Sequence, residues 1–257
     1  MLLALDLSNG MLVSGFRQDG HWLATSRLGH DRTADEYAFL LEASAARAGI
    51  DRIGRVGTAW LSSVVPAMTP RVVRAVRLAF GIDVALVAPG VKTGLKIRTD
   101  VPSEVGSDIV CAAVAARTLS SGPLVVVDFG TVIAISAINE AGELLGVSIA
   151  PGLELSMSAI KTSAAQIPEV RLDLPRRVIG RTTVQAVQSG VMLGFGGLIQ
   201  RIVDLMSIEM ACSPVVIGCG DEEGRGLLAS LGHDLFVPEL VLDGLSIIAE
   251  RNPEPFG

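Results

Sequence analysis

The first apolar run of the chain, LLAL, ends on Asp6, and Ser8, Asn9 and Gly10 follow at once. A carboxylate beside small, turn-prone residues fits two structures. One is a hairpin turn, for which Asn-Gly is a strong local signal. The other is a phosphate loop, with backbone N–H groups and a carboxylate around a nucleotide and its metal. A second copy favours the loop. LVVVDFGT (124–131) repeats the order of apolar strand, Asp, apolar residue and small polar residues. Asp128 lies 122 positions after Asp6 (128 − 6), and the next turn recurs at the same offset, Asp19-Gly20 and then Ala141-Gly142 (142 − 20). Each half thus opens as strand, Asp-bearing bend, strand, Gly turn and strand, which predicts a duplicated domain: residues 1–121 and 122–257.

A third carboxylate, Asp108, stands near the start of a predicted helix, where its charge interacts favourably with the helix dipole. The segment before it, APGVKTGLKIRTDVP, is punctuated by Gly and Pro and reads as a ligand-holding loop. The helix is expected from Ser103, with Val105, Ile109, Ala112, Ala116 and Leu119 as its buried stripe.

The elements that must position these residues are legible upstream and downstream. Thr33 and Glu36 have capping-box spacing, and Tyr37, Leu40, Leu41 and Ala45 follow on one helical face up to Gly49. Residues 56–62 read as a strand, Thr69-Pro70 as the start of a second helix ending at Gly81, and residues 84–87 as another strand. In the second half, a helix should follow Ala150-Pro151-Gly152 to about Ser163. Residues 165–181 read as loop. A long helix follows Thr182-Thr183, with Val184, Val187, Val191, Phe195, Leu198, Ile202 and Leu205 at helical spacing. Gly190, Gly194 and Gly197 lie on it although glycine costs a helix about 1 kcal/mol relative to alanine; it reads as a packing surface between subunits. Residues 215–217 form a late strand leading to Gly218-Cys219-Gly220, and the tail RNPEPFG is expected to fray.

Composition narrows the class. With 49% hydrophobic but only 4% aromatic residues, the core must be aliphatic, as in α/β layers. The net charge of −6 and the lack of a basic stretch argue against nucleic-acid binding. The first residues lack the basic segment of a secretory signal, and no uninterrupted apolar run nears the roughly 18 residues of a spanning helix. Three isolated cysteines fit a reducing, cytoplasmic setting. His21, His30 and His233 form no ligand-spaced pair, so no zinc site is expected.

Duplicated halves that each open on an Asp-bearing hairpin resemble the superfamily of actin, sugar kinases and heat-shock ATPases. The resemblance implies two ribonuclease-H-like α/β halves with a nucleotide cleft between them. Within it the chain resembles the type III pantothenate kinases. The matching stretches are RTADEY (32–37), SSVVPAMT (62–69), PGVKTGLKIRTDVPSEVGSD (89–108), VVVDFGT (125–131), IAPGL (149–153) and TTVQAVQSG (182–190), in family order along nearly the whole chain.

This resemblance implies transfer of the γ-phosphoryl group of ATP to the primary hydroxyl of pantothenate, a committed step toward coenzyme A. Such transfer rests on positioning and charge neutralisation. Asp6, Ser8, Asn9 and Gly10 fall on the first phosphate motif, with Asp6 orienting Mg²⁺ through water. Gly130 and Thr131 fall on the second. Asp128 matches the acid beside a monovalent cation, K⁺ or NH₄⁺. Asp108 matches the base, Gly106 and Thr183 substrate-contact positions, and Gly218 and Gly220 glycines next to adenosine. Thr183 would act across a dimer interface.

The chain departs from the family pattern in three places. The family carries Asp-x-Gly-Asn-Thr; here Ser8 replaces the glycine and Gly10 the threonine. Ile109 stands where the family has arginine. Val132, Ile133 and Ala134 replace small and hydroxyl residues. Two readings follow: a divergent working kinase, or an impaired paralogue. The paralogue would bind a ligand or complete the site of an active partner in a heterodimer.

Overall fold

A computed structural model describes residues 1–50, 56–163 and 167–253. Two compact units divide the chain. The first comprises Met1–Gly94, Val101–Ala115 and Val241–Gly257; the second comprises Leu95–Asp100 and Ala116–Leu240. A single cut between residues 121 and 122 therefore differs from this grouping, because the C-terminal helix is grouped with the first unit and a short strand of the first half with the second.

In the first unit, β1 (Leu2–Leu7), β2 (Met11–Gln18) and β3 (His21–Gly29) form an antiparallel meander, and β4 (Thr58–Ser63) and β5 (Val84–Leu86) add parallel strands in the order β3-β2-β1-β4-β5. Asp6 does not end β1. The strand runs on to Leu7, and Asp6 pairs with Val13 on one side and Ser62 on the other. Asp19 and Gly20 both take a positive φ, 50° and 82°, the backbone that a tight hairpin demands.

Helix α1 (Ala34–Arg47) begins at Thr33, whose hydroxyl accepts the Glu36 N–H while the Glu36 carboxylate accepts the Thr33 N–H. This reciprocal pair satisfies two donors that the first turn would otherwise leave bare. Helix α2 (Thr69–Phe80) has Pro70 in its first turn and stops at Gly81, whose φ of 70° is costly for any residue with a Cβ. Tyr37, Leu41, Val72 and Val76 close a core with Leu3, Leu5 and Phe16.

The second unit repeats the plan. β7 (Leu124–Phe129), β8 (Val132–Ile138) and β9 (Glu143–Pro151) form the meander, and β10 (Val215–Gly220) lies parallel to β7, as β4 does to β1. Beyond β10, Gly218 makes a parallel bridge to Phe236, where the first sheet has β5. Asp128 sits one residue before the end of its strand, beside Ala134 and Cys219, as Asp6 sits between Val13 and Ser62. The unit has one strand without counterpart, β6 (Lys96–Ile97), which pairs with the outer edge of β9.

Helix α3 (Ser107–Leu119) follows a 3₁₀ turn over Pro102–Glu104, so it starts four residues later than expected and Asp108 is its second residue. Its buried surface is no stripe. Val110 through Ala116 are all buried, whereas Ile109 is half-buried and Leu119 is exposed. A sequence of small residues packs on every side, which hides the periodicity.

Helix α4 (Leu153–Ser163) follows as expected, and no helix or strand occurs in residues 167–181; residues 165 and 166 lie outside the described residues. The long helix is continuous from Thr183 but changes winding. It runs as α5 (Thr183–Gln188), a π turn (Ser189–Leu193) and α6 (Gly194–Glu209). The wider turn shifts the helical phase, so the core takes Val191, Met192, Ile199 and Val203, while Leu205 is 46% exposed. Thr183–Glu209, 27 residues with an 18-residue stretch of mean hydropathy 1.5, is long and apolar enough by composition to cross a membrane. Yet Ile199 and Val203 share a core with Val125 and Ile133 of the sheet.

Two helices were not anticipated: α7 (Glu223–Ser230) and α8 (Leu240–Arg251). The tail is fixed at its start, where the Asn252 amide accepts from Lys92 N–H and donates to Lys92 O, both at 3.1 Å. Residues 254–257 lie outside the described residues.

Candidate functional site

In the first unit, the turn after β1 is held by three contacts. Ser8 donates its N–H (3.0 Å) and its hydroxyl (3.2 Å) to Met11 O, and the Ser8 carbonyl accepts from His30 Nε2 at 2.6 Å. A carbonyl can only accept, so His30 carries its proton on Nε2. Asn9 and Gly10 are exposed at the tip, and Gly10 does not need a positive φ. Asp6, just inside the turn, is 8% exposed.

Asp108 belongs to the same unit. Its Oδ1 accepts the Ile109 N–H at 2.8 Å, so the carboxylate folds back over the start of its own helix. That explains Gly106: a Cβ there would lie 2.3 Å from Asp108 Oδ1 and 3.3 Å from Val64 Cγ1. The spacing Gly-x-Asp thus has a local steric reason, independent of any substrate. Burial pushes the Asp108 carboxyl above its ordinary value, and the N–H groups of Ile109 and Asp108 oppose that rise. One helical turn on, Cys111 is fully buried. Its thiol is pushed well up by burial first, then by the charges of Asp6 and Asp108, with a hydrogen bond from Ser62 acting the other way. Asp6 and Asp108 therefore both bear on one buried atom. Asp6 stands near the end of β1 and Asp108 in the first turn of α3, and a thiol raised in this way is inert.

In the second unit, Gly130 and Thr131 form the turn between β7 and β8, closed by Gly130 N–H to Val132 O at 3.2 Å. Gly152 crosses directly beneath. A Cβ on it would be 2.1 Å from Gly130 O and 2.6 Å from Thr131 O. This close crossing explains why glycine follows β9, and it leaves Thr131 exposed at the tip. Gly220, with φ 88°, ends β10 against Asp128: a Cβ there would meet Phe129 O at 2.1 Å and Asp128 Oδ1 at 2.6 Å. A carboxylate and a carbonyl oxygen therefore line a space that only glycine leaves open. Gly218 is different. It is buried against Phe236 and Leu228, which would meet its Cβ at 2.5 and 2.6 Å, so packing alone accounts for it. Thr183 is exposed as the first residue of α5, whose N-cap is Thr182.

The departures from the family pattern now have physical settings. Ile133 and Ala134 are strand residues of the second core, with Ile133 fully buried, and Val132 is 38% exposed. Ile109 is half-buried, and its backbone supplies Asp108 with a neutral donor in place of a guanidinium. Sequence reasoning missed His30, Ser62, Ser107 and Cys111. Each acts through a contact across elements, and none belongs to a repeated spacing.

Comparison with known proteins agrees with this fold. A conserved putative Baf family transcriptional activator from Campylobacter jejuni superposes over 98% of both chains with a TM-score of 0.62 at 18% identity. An activator of 2-hydroxyisocaproyl-CoA dehydratase from Clostridium difficile, solved with ADPNP, superposes over 98% of this chain and 96% of its own with a TM-score of 0.55 at 11% identity. The architecture is that of the actin-like ATPases and sugar kinases. In sequence, the type III pantothenate kinase family matches residues 2–205. The type III pantothenate kinase of Moorella thermoacetica is 38% identical, covering 98% of this chain and all of its own. Type III pantothenate kinase 2 of Symbiobacterium thermophilum is 39% identical, covering 98% and 97%. The chain belongs to the type III pantothenate kinase family.

Proposed function

We propose that this chain transfers the γ-phosphoryl group of ATP to pantothenate, giving 4′-phosphopantothenate for coenzyme A synthesis in the cytoplasm. The observation that carries the reading is the placement of Asp6 and Asp108 on either side of Ser62, which pairs in register with Asp6 and whose Oγ lies 2.9 Å from the Oγ of Ser107, in a chain similar to its relatives over 98% of its length. Asp108 is the base. It takes the proton of the primary hydroxyl as that oxygen attacks the γ-phosphorus, and the bond from phosphorus to the bridging oxygen of ADP breaks. A carboxyl raised by burial is better matched to that task than an ordinary one.

Asp6 would hold Mg²⁺, a role suited to a nearly buried carboxylate beside a polar turn. In the first unit Ser8, Asn9 and Gly10 are assigned to phosphate and Gly106 to pantothenate; in the second, Gly130 and Thr131 are assigned to phosphate, Gly220 and Gly218 to adenosine and Thr183 to pantothenate. The Asp128 carboxylate and the Phe129 carbonyl suit a monovalent cation, K⁺ or NH₄⁺, because both are hard oxygen donors around the space that Gly220 keeps clear. Mg²⁺ neutralises charge on the phosphates when bound; the protein residues position the reactants.

A second reading rests on Ser8, Gly10 and Ile109, and on an exposed apolar surface. In it the chain is an impaired paralogue that completes the site of an active partner. Assays with ATP, Mg²⁺, K⁺ and pantothenate, read by mass spectrometry, separate the two. The triple variant Ser8→Gly, Gly10→Thr, Ile109→Arg is expected to form more phosphopantothenate than the unmodified chain, and adding Asp108→Asn should abolish the gain. No turnover by either form would favour the partner reading.

A further inference from the structure

Ser107 has no part in the roles assigned above, yet it makes the most specific contacts at the start of α3. Its Oγ accepts the Ser63 N–H at 2.9 Å and shares a hydrogen bond with Ser62 Oγ, also at 2.9 Å. Ser62 is fully buried on β4, in register with Asp6 on β1, so the two side chains stand on the same face of the sheet. Ser62 also meets the Cys111 thiol. Residues 107 and 111 are four apart and therefore share one face of the helix. The first turn of α3 is thus gripped at two points by one serine of β4. A helix held at two points on one face cannot turn about its axis, and Asp108 projects about 100° around from Ser107.

We propose that Ser107 is a positioning residue: through Ser62 and Ser63 it fixes the rotation of α3 and so aims the Asp108 carboxylate relative to Asp6. This rests on the reading of Asp108 as the base. The side-chain contact needs a hydroxyl at both 62 and 107. A second serine pair, Ser14 and Ser26 at 2.7 Å on β2 and β3, offers the same chemistry with no helix attached and serves as the control.

The test compares Ser107→Ala, Ser107→Thr, Ser62→Ala and Ser14→Ala in the full chain. The first readout is the NMR signal of the Ile109 N–H, which reports its hydrogen bond to Asp108 Oδ1 whether or not the chain turns over. The second is kcat and KM. In Ser107→Ala the Ile109 signal should move upfield, and its exchange should quicken at least about tenfold as the first turn loosens. The kcat should fall about tenfold while KM for ATP changes less than about twofold, as expected for a misplaced group. Ser107→Thr should restore both readouts. Ser62→Ala should move the Ile109 signal in the same direction, which keeps the test open if Ser107→Ala fails to fold. Ser14→Ala should leave signal and kcat alone. An unchanged Ile109 signal in folded Ser107→Ala or Ser62→Ala, or no rescue by threonine, overturns the proposal. Absence of phosphopantothenate from the unmodified chain would count against the kinase reading of this chain alone, and the Ile109 signal would still decide the role of Ser107.

Discussion

A carboxylate partly withdrawn from water with no cationic partner costs folding energy, and among the described residues Asp108 is in that position. The contacts that stabilise its charge are the backbone N–H groups of Ile109 and Asp108, and its carboxyl is raised above the ordinary 3.8 because desolvation outweighs them. A raised acid favours its neutral form in the folded chain. Relative stability is therefore greatest below the unfolded value and declines as pH rises through the folded one. Asp108→Asn keeps an oxygen to accept the Ile109 N–H but never ionises. It is expected to melt at a higher temperature than the unmodified chain at pH 7 to 8, with the difference closing as pH is lowered toward 3.8. Calorimetry across that range checks the sign. A lower melting temperature for Asp108→Asn at neutral pH would mean that the ionised carboxylate is stabilised by something other than these N–H groups. The same variant removes the proposed base, so gain of stability and loss of turnover should coincide, the usual exchange at a functional residue.

Between elements, the informative contacts are those that sequence periodicity does not encode. Gly244 on α8 approaches α3 so closely that a Cβ would lie 1.8 Å from Cys111 O, and Asp243 beside it accepts the Trp22 indole N–H at 2.8 Å. Arg17 adds an ion pair to Asp243 and a hydrogen bond to Ser246. These contacts bring α8 back to the first unit. Nothing in LVLDGLSIIAER announces that destination, because the partners lie over a hundred positions away. Strand β6 was hidden for a related reason. Two residues cannot show alternation, and LKIRT reads as loop until Glu143 is seen. That carboxylate accepts from Lys96 at 2.9 Å, Arg98 at 2.8 Å and Asn139 at 3.1 Å, which together depress it from 4.5 to about 2. A depressed acid contributes stability above its unfolded value and loses it as pH falls through the folded one. Glu143→Gln should therefore lower the melting temperature at pH 6 to 8. The gap to the unmodified chain should narrow as pH falls from 4.5 to about 2, because the native carboxylate is then protonated as well. A gap that persists unchanged at pH 2 would assign the loss to packing and not to charge. The capping box at Thr33 and the stop at Gly81, by contrast, were readable at once, since each is a local hydrogen-bonding or backbone problem with few solutions.

For the whole chain, duplication was the legible fact: the same offset separates both aspartates and both turns, and the two sheets repeat one strand order around β1 and β7. What it could not convey is which surfaces stay bare in a single copy. The three glycines of the long helix settle that for one face. Gly190, Gly194 and Gly197 are exposed, and a Cβ on any of them would meet nothing within 4 Å. Gly190 and Gly194 border a groove of about 340 Å³ with Ile160, Val187, Val191, Phe195 and Leu198. Gly194 has ordinary helical angles, φ −64° and ψ −48°, so no backbone strain requires glycine there. In an isolated chain each glycine only weakens the helix, by about 1 kcal/mol relative to alanine. We propose that a second copy of this chain packs there, as a homodimer in which small residues let backbones approach; a paralogue with the same face would form the heterodimer. The two situations give opposite signs for one variant. Gly190→Ala, Gly194→Ala and Gly197→Ala combined should make a monomer more stable to urea by about 1–3 kcal/mol. In a dimer the added methyl groups would instead separate the helices. The expected result is a dimer of the unmodified chain by light scattering at micromolar concentration, and a stabilised monomer for the triple alanine variant. A monomeric unmodified chain would remove the homodimer, and a triple variant that stays dimeric would move the interface to another face.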